Sequence, residues 1–162
     1  MKLQIRLAKD SETMEIIELL KGAASWLKSE EIDQWSYLLS GGEDLDIERA
    51  ILNNETYVAK YENNLIGTFT LSSIQSEWDL DLWGNQEDSS LYLHRLAVNN
   101  EYRGQGLGCK IIRWIEEKFS GRYMYLRLDC VSNNPRLNQF YQDCRFKLAG
   151  STEEFNKYEK CI

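Results

Sequence analysis

The sequence predicts an α/β fold in which a mixed β-sheet is flanked by helices. Segments with the period-two alternation of strands are separated by segments whose apolar residues recur at helical spacing. Strands joined by helices favour parallel pairing, whereas segments 56–61 and 65–72, joined by a short polar turn, predict an antiparallel hairpin. The chain has 162 residues and one proline, with no internal repeat. We therefore expect one domain over residues 1–162.

The first half of the chain begins with a predicted strand over 3–7, where apolar and polar residues alternate. Asp10 is expected to cap the helix that follows. One face of this helix is apolar, at Ile16, Leu19, Leu20, Ala23 and Leu27. A weaker helical pattern covers 45–52, and the acidic segment 77–90 is predicted to be a long loop.

The second half also alternates strands and helices. Strands are predicted over 91–98, 123–131, 146–149 and 156–161. A helix over 107–119 has an apolar stripe made of Leu107, Ile111, Trp114, Ile115 and Phe119. Asn134 before Pro135 is typical of a helix start, because proline suits the first helical position, and it predicts a helix over 135–143.

Charge and hydropathy exclude several classes of function. A net charge of −7 argues against a nucleic-acid partner, because neutralising phosphates requires an excess of lysine and arginine. No apolar run approaches the roughly 20 residues that a membrane helix needs. Residues 1–6 lack the apolar segment of a secretory signal. We therefore expect a cytoplasmic protein with no membrane partner.

The four cysteines, at 109, 130, 144 and 161, form no CxxC pair, and the chain has one histidine. This composition argues against a zinc cluster, so no metal is expected. Free thiols are expected in a reducing compartment, with Cys130 in the core.

The most informative segment is the glycine turn, Arg103–Gly108. Glycines stand at 104, 106 and 108, where a helix is predicted to begin, so backbone N–H groups there lack helical partners. Such a turn attracts an anion, and Arg103 adds a positive charge at its edge. A Walker loop or a dinucleotide fingerprint fits poorly, because Gly108 is followed by Cys109 and Lys110. A glycine turn without a ligand is the alternative.

The order of motifs around this turn resembles the GNAT superfamily of N-acetyltransferases. A strand with Leu96-x-Val98 precedes Arg103-x-x-Gly-x-Gly, and downstream come Asn134, the pair Phe140-Tyr141 and then Phe146. The resemblance is strong over 90–150, and over 1–75 it rests on the order of elements. It implies a sheet whose central parallel strands splay apart, acetyl-CoA as the acyl donor, and dimers as a common assembly.

The resemblance also implies which residues bind the donor. The backbone of Leu96 and Val98 would pair with the pantetheine arm. The full set of implied cofactor-binding residues is Leu96, Val98, Arg103, Gly104, Gln105, Gly106, Leu107, Gly108, Asn134 and Tyr141. Two positions depart from the family pattern. Arg145 stands where a glycine is usual, and a left-handed backbone there would cost roughly 1–2 kcal/mol. Leu137 replaces a usual small residue.

Two side chains are candidates for acid and base. By the resemblance, Tyr141 would protonate the departing CoA thiolate, and the alternative is a core tyrosine with a satisfied hydroxyl. His94 is the one imidazole that could accept the amine proton. Strand alternation would put Tyr92, His94 and Leu96 on one face. The alternatives for His94 are a structural hydrogen bond and a chain of waters that removes the proton.

The acceptor is expected to be a small cationic amine. Tryptophans at 26, 35, 78 and 83, with acids at 30, 31, 33, 77, 79, 81, 87 and 88, could form an aromatic, anionic entrance. The alternative is a solvated acidic loop over packed tryptophans. Trp35 and Tyr92 are the substrate candidates. Direct attack of the amine on the thioester in a ternary complex is expected, so no covalent role is assigned to Cys109 or Cys144.

Three other functions remain open at this point. The acceptor could be a peptide or protein amine. The fold could serve as a non-catalytic acyl-CoA sensor, although such a sensor would not need the Tyr141 phenol. The glycine turn could also be a scaffold that binds no CoA.

Overall fold

A computed structural model describes residues 2–162. The strands are β1 (Gln4–Leu7), β2 (Thr56–Tyr61), β3 (Asn64–Ser72), β4 (Ser90–Val98), β5 (Tyr125–Val131), β6 (Lys147–Ser151) and β7 (Phe155–Cys161). The helices are α1 (Thr13–Ser29), α2 (Ser36–Leu39), α3 (Asp44–Leu52), α4 (Glu77–Trp83), α5 (Leu107–Phe119) and α6 (Pro135–Asp143). The strands form one mixed seven-stranded sheet in the order β1-β2-β3-β4-β5-β7-β6, flanked by helices, as the sequence predicts.

The chain divides into two compact units, and each unit takes two separate segments. The first unit contains residues up to Leu71 and then Arg95–Ile111. The second contains Ser72–His94 and Ile112–Ile162. Both β4 and α5 are therefore shared between the units along the chain.

In the first unit, β1, β2 and β3 pair antiparallel, and β2 and β3 form the predicted hairpin. The apolar face of α1 packs into the core of this unit, as its periodicity predicts. Gly67 is needed here for a close approach. A Cβ at this position would lie 3.2 Å from the Ala97 carbonyl oxygen and 3.1 Å from the Ile111 side chain.

In the second unit, β4 pairs parallel with β5, and β7 pairs antiparallel with both β5 and β6. The β4–β5 register covers only Ser90–Tyr92 against Tyr125–Arg127. The parallel pair therefore stays together at the start of β4 alone. This short pairing agrees with the splayed central strands that the family resemblance implies.

Two local predictions are wrong, and a third is confirmed except at one residue. The segment 77–90 is not all loop, because α4 occupies Glu77–Trp83. Asp10 does not cap α1; a 3₁₀ turn covers Asp10–Glu12, and the Glu12 carboxylate accepts the Lys9 N–H at 2.8 Å. On α5, Leu107, Ile111, Ile115 and Phe119 are buried as predicted, whereas Trp114 is only half-buried and Ile112 is buried in addition. Among the described residues, no helix is long and apolar enough to span a membrane.

Candidate active site

The glycine turn has the backbone that its glycines predict. Gly104 and Gly106 have φ values of 77° and 71°, a region that side chains disfavour, and a Cβ on either would meet nothing within 4 Å. Gly108 instead lies inside α5. Two glycines therefore shape the turn, and the space beside them is open.

Backbone N–H groups in this turn are unpaired. Gly106 directly precedes α5, and its carbonyl accepts the Lys110 N–H at 3.2 Å. Within residues 2–162, the N–H groups of Gly104, Gln105, Gly106, Leu107 and Gly108 donate to no other group. Unpaired donors at a helix N-terminus, with the positive end of the helix dipole, form an anion-binding site.

The Arg103 side chain is held in place beside this turn. Its guanidinium lies 3.7 Å from the centre of the Trp26 ring. Its Nε donates to the Asn100 carboxamide oxygen at 2.8 Å. A cation–π contact and a hydrogen bond therefore fix this positive charge beside the turn.

The backbone of β4 leaves one edge of Leu96 and Val98 available. The Asn99 N–H donates to the Ile66 carbonyl of β3 at 2.8 Å. Because successive strand residues point their backbone groups to alternate sides, those of Leu96 and Val98 face the opposite side. These are the positions expected to pair with an extended ligand.

A kink at Arg95 interrupts β4. Its φ is 51°, which is uncommon for a residue other than glycine, and its Nε donates to the Glu43 carboxylate at 3.0 Å. Strand alternation therefore does not carry from His94 to Leu96. The expectation that Tyr92, His94 and Leu96 share one face is wrong for this reason.

His94 contacts a buried carboxylate. Its Nε2 lies 3.1 Å from both carboxylate oxygens of Asp79, which is 1% exposed. Burial alone would raise the pKa of Asp79, but the hydrogen bond and the charge of His94 outweigh it, so the pKa lies below its ordinary value. An ionised, hidden carboxylate therefore faces the imidazole.

A second carboxylate, Asp129, stands beside this pair. Trp78 Nε1 donates to its two oxygens at 3.1 and 3.2 Å. A carboxylate oxygen of Asp79, a carboxylate oxygen of Asp129 and an imidazole nitrogen of His94 all lie within 4.8 Å of one another. Burial raises the pKa of Asp129, and the charge of Asp79 adds to this effect. No lysine or arginine within residues 2–162 pairs with Asp129.

Tyr141 lies on α6 and is 7% exposed. Its ring packs against Phe140, Phe146 and Tyr158. Its hydroxyl makes no hydrogen bond with any residue from 2 to 162. Burial raises the pKa of the phenol, so it keeps its proton at neutral pH. This arrangement speaks against the alternative of a core tyrosine with a satisfied hydroxyl.

Polar groups hold α6 in place. Asn134 caps the helix by accepting the Leu137 N–H at 3.1 Å. Asn138 donates to the Val131 carbonyl at 3.0 Å and accepts from the Tyr158 hydroxyl at 2.7 Å. The side chain of Asn134 thus already has a structural role, which sequence reasoning predicted as a cap.

Of the two substrate candidates, Tyr92 lies in the interior and Trp35 is partly buried. Tyr92 is buried, and its hydroxyl accepts from Arg127 Nη1 at 3.1 Å. Trp35 packs against the core of the first unit. Sequence reasoning missed Arg127, which is buried and pairs with Asp88 at 2.7 Å and with Glu159 at 3.1 Å. No local pattern could have found it, because these partners are 39 and 32 residues away.

The four cysteines at 109, 130, 144 and 161 carry thiols rather than disulfides, as expected. Cys130 and Cys144 are buried, and burial raises the pKa of Cys130 to about 12. A thiol with such a pKa is a poor nucleophile at neutral pH.

Known proteins share this sequence and fold. The Acetyltransferase (GNAT) family profile matches residues 18–146. A Bacillus subtilis (strain 168) protein, the uncharacterized N-acetyltransferase YesJ, is 35% identical over 157 residues, which span 95% of this chain and 86% of that protein. A crystal structure of a GNAT acetyltransferase from Listeria monocytogenes has a TM-score of 0.86 and 31% identity, covering 99% of this chain and 95% of that one.

A more distant structure shares the fold. The PaiA N-acetyltransferase from Thermoplasma acidophilum, solved in complex with coenzyme A, has a TM-score of 0.77 at 20% identity, and each chain covers 100% of the other. The match of the family profile over most of the chain, together with the 35% identity to a relative that is covered over 86% of its length, shows that this chain belongs to the GNAT family of acetyltransferases.

Proposed function

We propose that this GNAT acetyltransferase moves the acetyl group of acetyl-CoA to the primary amine of a small cationic molecule, by direct attack in a ternary complex. The observation that carries the proposal is the run of unpaired N–H groups from Gly104 to Gly108. We assign the CoA diphosphate to these groups, because an anion there would satisfy donors that no protein group satisfies.

Arg103 and the strand edge support the same assignment. The Arg103 guanidinium, stacked on Trp26, brings a positive charge to the glycine turn. The backbone groups of Leu96 and Val98 that point away from β3 would pair with the pantetheine arm as an added strand would.

Tyr141 is the proposed acid. Acetyl transfer releases the CoA thiolate, which must gain a proton. A phenol that is buried, protonated and without a protein hydrogen bond can give one, and general acid help of this kind contributes about 10²–10⁴-fold.

His94 is the proposed base. At neutral pH the attacking amine is protonated, because alkylamines, like lysine, have a pKa near 10.4. The ammonium must therefore lose a proton before its nitrogen can attack. The lone pair of a His94 ring nitrogen accepts this proton from the ammonium N–H. The amine nitrogen then attacks the thioester carbonyl, the C–S bond breaks, and the thiolate takes the Tyr141 proton.

The small cationic acceptor is supported by Asp129. This carboxylate has no lysine or arginine partner among residues 2–162 and lies beside His94. An ammonium group would supply the missing positive charge. The acidic entrance foreseen over 77–90 is smaller than its composition suggests, because Asp79 is bonded to His94 and Asp88 to Arg127.

Thermal unfolding with acetyl-CoA tests the donor site. Bound ligand at one hundred times its dissociation constant stabilises the fold by about 2.7 kcal/mol. Gly106→Val should remove this gain, because a branched side chain fills the open side of the turn. Gly121→Val is the matched control, since Gly121 has a φ of 76° and equally open surroundings in the turn after α5. Equal gains in both variants would refute the donor site.

A panel of amines tests the acceptor, with release of the CoA thiol as the readout. Small diamines and polyamines should react faster than uncharged aromatic amines or peptide N-termini. If peptide N-termini react faster than the small amines, the proposed small cationic acceptor is wrong and the acceptor is a peptide or protein amine.

A further inference from the structure

The position of Asp79 is set by the start of α4. The Ser76 N–H donates to Asp79 Oδ2 at 3.0 Å, and the Asp79 N–H donates to Ser76 Oγ at 3.2 Å. This reciprocal capping box fixes the carboxylate relative to its own helix. Asp79 therefore reaches His94 from a rigid support rather than from a mobile loop.

The contact between Asp79 and His94 determines where the imidazole carries its proton. An ionised carboxylate only accepts hydrogen bonds, so the Nε2 atom that lies 3.1 Å from it must be the donor. In the neutral imidazole the other nitrogen, Nδ1, then holds the lone pair.

We propose that Asp79 is a positioning residue for His94: it holds the N–H on Nε2 and leaves Nδ1 as the atom that accepts the proton of the attacking amine. The inference rests on the proposed role of His94 as base. The ammonium N–H bond breaks, the proton passes to Nδ1, and the amine keeps the electron pair with which it attacks the thioester. Asp79 stabilises the imidazolium until that proton leaves to solvent.

Among residues 2–162, two carboxylates lie close to the imidazole. Asp79 comes from α4 and Asp129 from β5. A carboxylate oxygen of each lies within 4.8 Å of an imidazole nitrogen of His94. Trp78 donates to both oxygens of Asp129, whereas Asp79 accepts from Ser76 and His94. Because Asp79 is the carboxylate that contacts His94, we assign to it the control of the His94 tautomer. The tautomer must therefore be compared between variants of Asp79 and of Asp129.

The single histidine makes the test direct. Full-length protein labelled with ¹⁵N-histidine gives one imidazole, and long-range ¹H–¹⁵N NMR identifies the protonated nitrogen of its neutral form. The wild-type protein should have the proton on Nε2. In Asp79→Asn, the carboxamide oxygen keeps the Ser76 N–H and its NH₂ faces the imidazole, so the proton should move to Nδ1.

Activity should follow the tautomer. Asp79→Asn should lower kcat by on the order of 10²–10⁴-fold, with a changed pH–rate profile, because the base then carries its proton on the wrong nitrogen. Glu117→Gln, exposed on α5 and outside the proposed site, should leave the tautomer and kcat unchanged. Asp129→Asn should keep the Nε2 proton.

The inference is overturned if the wild-type proton sits on Nδ1, a result that needs no variant. It is also overturned if Asp79→Asn keeps the wild-type tautomer or the wild-type kcat while the variant still gains thermal stability from acetyl-CoA. Failure of the proposed function is a separate observation, because it shows as wild-type protein that acetyl-CoA does not stabilise.

Discussion

Tyr141 and His94 differ in whether the polar group of the side chain has a hydrogen-bond partner in the protein. The Tyr141 ring is fixed by aromatic neighbours and its hydroxyl has no protein partner, whereas His94 has a defined partner in Asp79. This contrast makes Tyr141 the first residue to substitute.

Tyr141→Phe should lower kcat by about 10²–10⁴-fold and leave the thermal stabilisation by acetyl-CoA nearly intact, because only the proton donor is lost. Steady-state kinetics and thermal unfolding measure the two effects. Tyr61→Phe, at the end of β2, is the control and should change neither. A fully active Tyr141→Phe enzyme would remove this residue from the mechanism.

Arg145 carries strain that a glycine would relieve. Its φ is 68°, so the left-handed backbone expected at this position is present although the usual glycine is not. Arg145→Gly should raise the free energy of unfolding by up to about 1 kcal/mol, since the strain of roughly 1–2 kcal/mol exceeds the added chain entropy of glycine. Arg136→Gly, exposed within α6, should instead destabilise. Chemical denaturation distinguishes the two, and destabilisation by both would argue against strain at Arg145.

Between elements, Arg127 links the strands of the second unit. From β5 it donates to Asp88 before β4, to the Tyr92 hydroxyl in β4 and to Glu159 in β7. Its guanidinium also lies 5.2 Å from the centre of the Trp83 ring. The ion pairs raise the pKa of Arg127 despite its burial, so the charge is present at any ordinary pH.

Arg127→Met should destabilise the protein by about 3 kcal/mol, because it leaves buried acceptors and a partly buried carboxylate without their cation. Arg113→Met, exposed on α5, is the control and should shift the unfolding midpoint little. Equal midpoints for the two variants would show that the network contributes nothing to stability.

The β1–α1 junction predicts a pH dependence. Hydrogen bonds from Arg6, then from Lys9 and Lys60, lower the pKa of Glu12 to about 2 despite its burial. Because the folded-state pKa is below the ordinary 4.5, the stabilisation is complete above that pH and is lost as the pH falls toward 2.

Glu12→Gln should therefore reduce the free energy of unfolding at pH 7, and the gap to wild type should close between pH 4.5 and 2. Glu18→Gln, exposed on α1, should show no such trend. Urea unfolding across this pH range measures the difference. A gap of constant size would contradict the linkage.

Local patterns predicted most elements, and long-range contacts explain what they missed. The spacing in α1 and the Asn134-Pro135 start of α6 both depend on nearby residues, and both predictions are confirmed. Helix α4 was missed although Ser76 and Asp79 have capping-box spacing, because its acidic residues hide the apolar period. The burial of Asp79 depends on its contact with His94, which lies fifteen residues later in the chain.

The candidate site follows the same division. The glycine turn is a local feature, so its φ values and open N–H groups could be predicted from residues 103–108. The kink at Arg95 could not, because the Glu43 carboxylate that meets it is 52 residues away. The buried position of Tyr92 and the partly buried position of Trp35 likewise depend on distant partners.

For the whole molecule, a net charge of −7 should affect how the acceptor arrives. A negative protein attracts a cation over about the Debye length, which is near 10 Å at 0.1 M salt. The kcat/KM for a diamine should therefore fall as salt rises, whereas that for an uncharged aromatic amine should stay level. Stopped-flow or steady-state rates from 0.02 to 0.5 M salt test this. Equal slopes for the two amines would exclude charge attraction of the acceptor.

The division of the chain into interleaved segments also bears on its synthesis. The first unit needs residues 95–111, which a ribosome adds only after it has made Ser72–His94 of the second unit. The first unit thus cannot close on the emerging chain until Arg95–Ile111 have left the exit tunnel, and the second still needs Ile112–Ile162. During translation at about 5–20 residues per second, the first unit therefore receives its last segment before the second does.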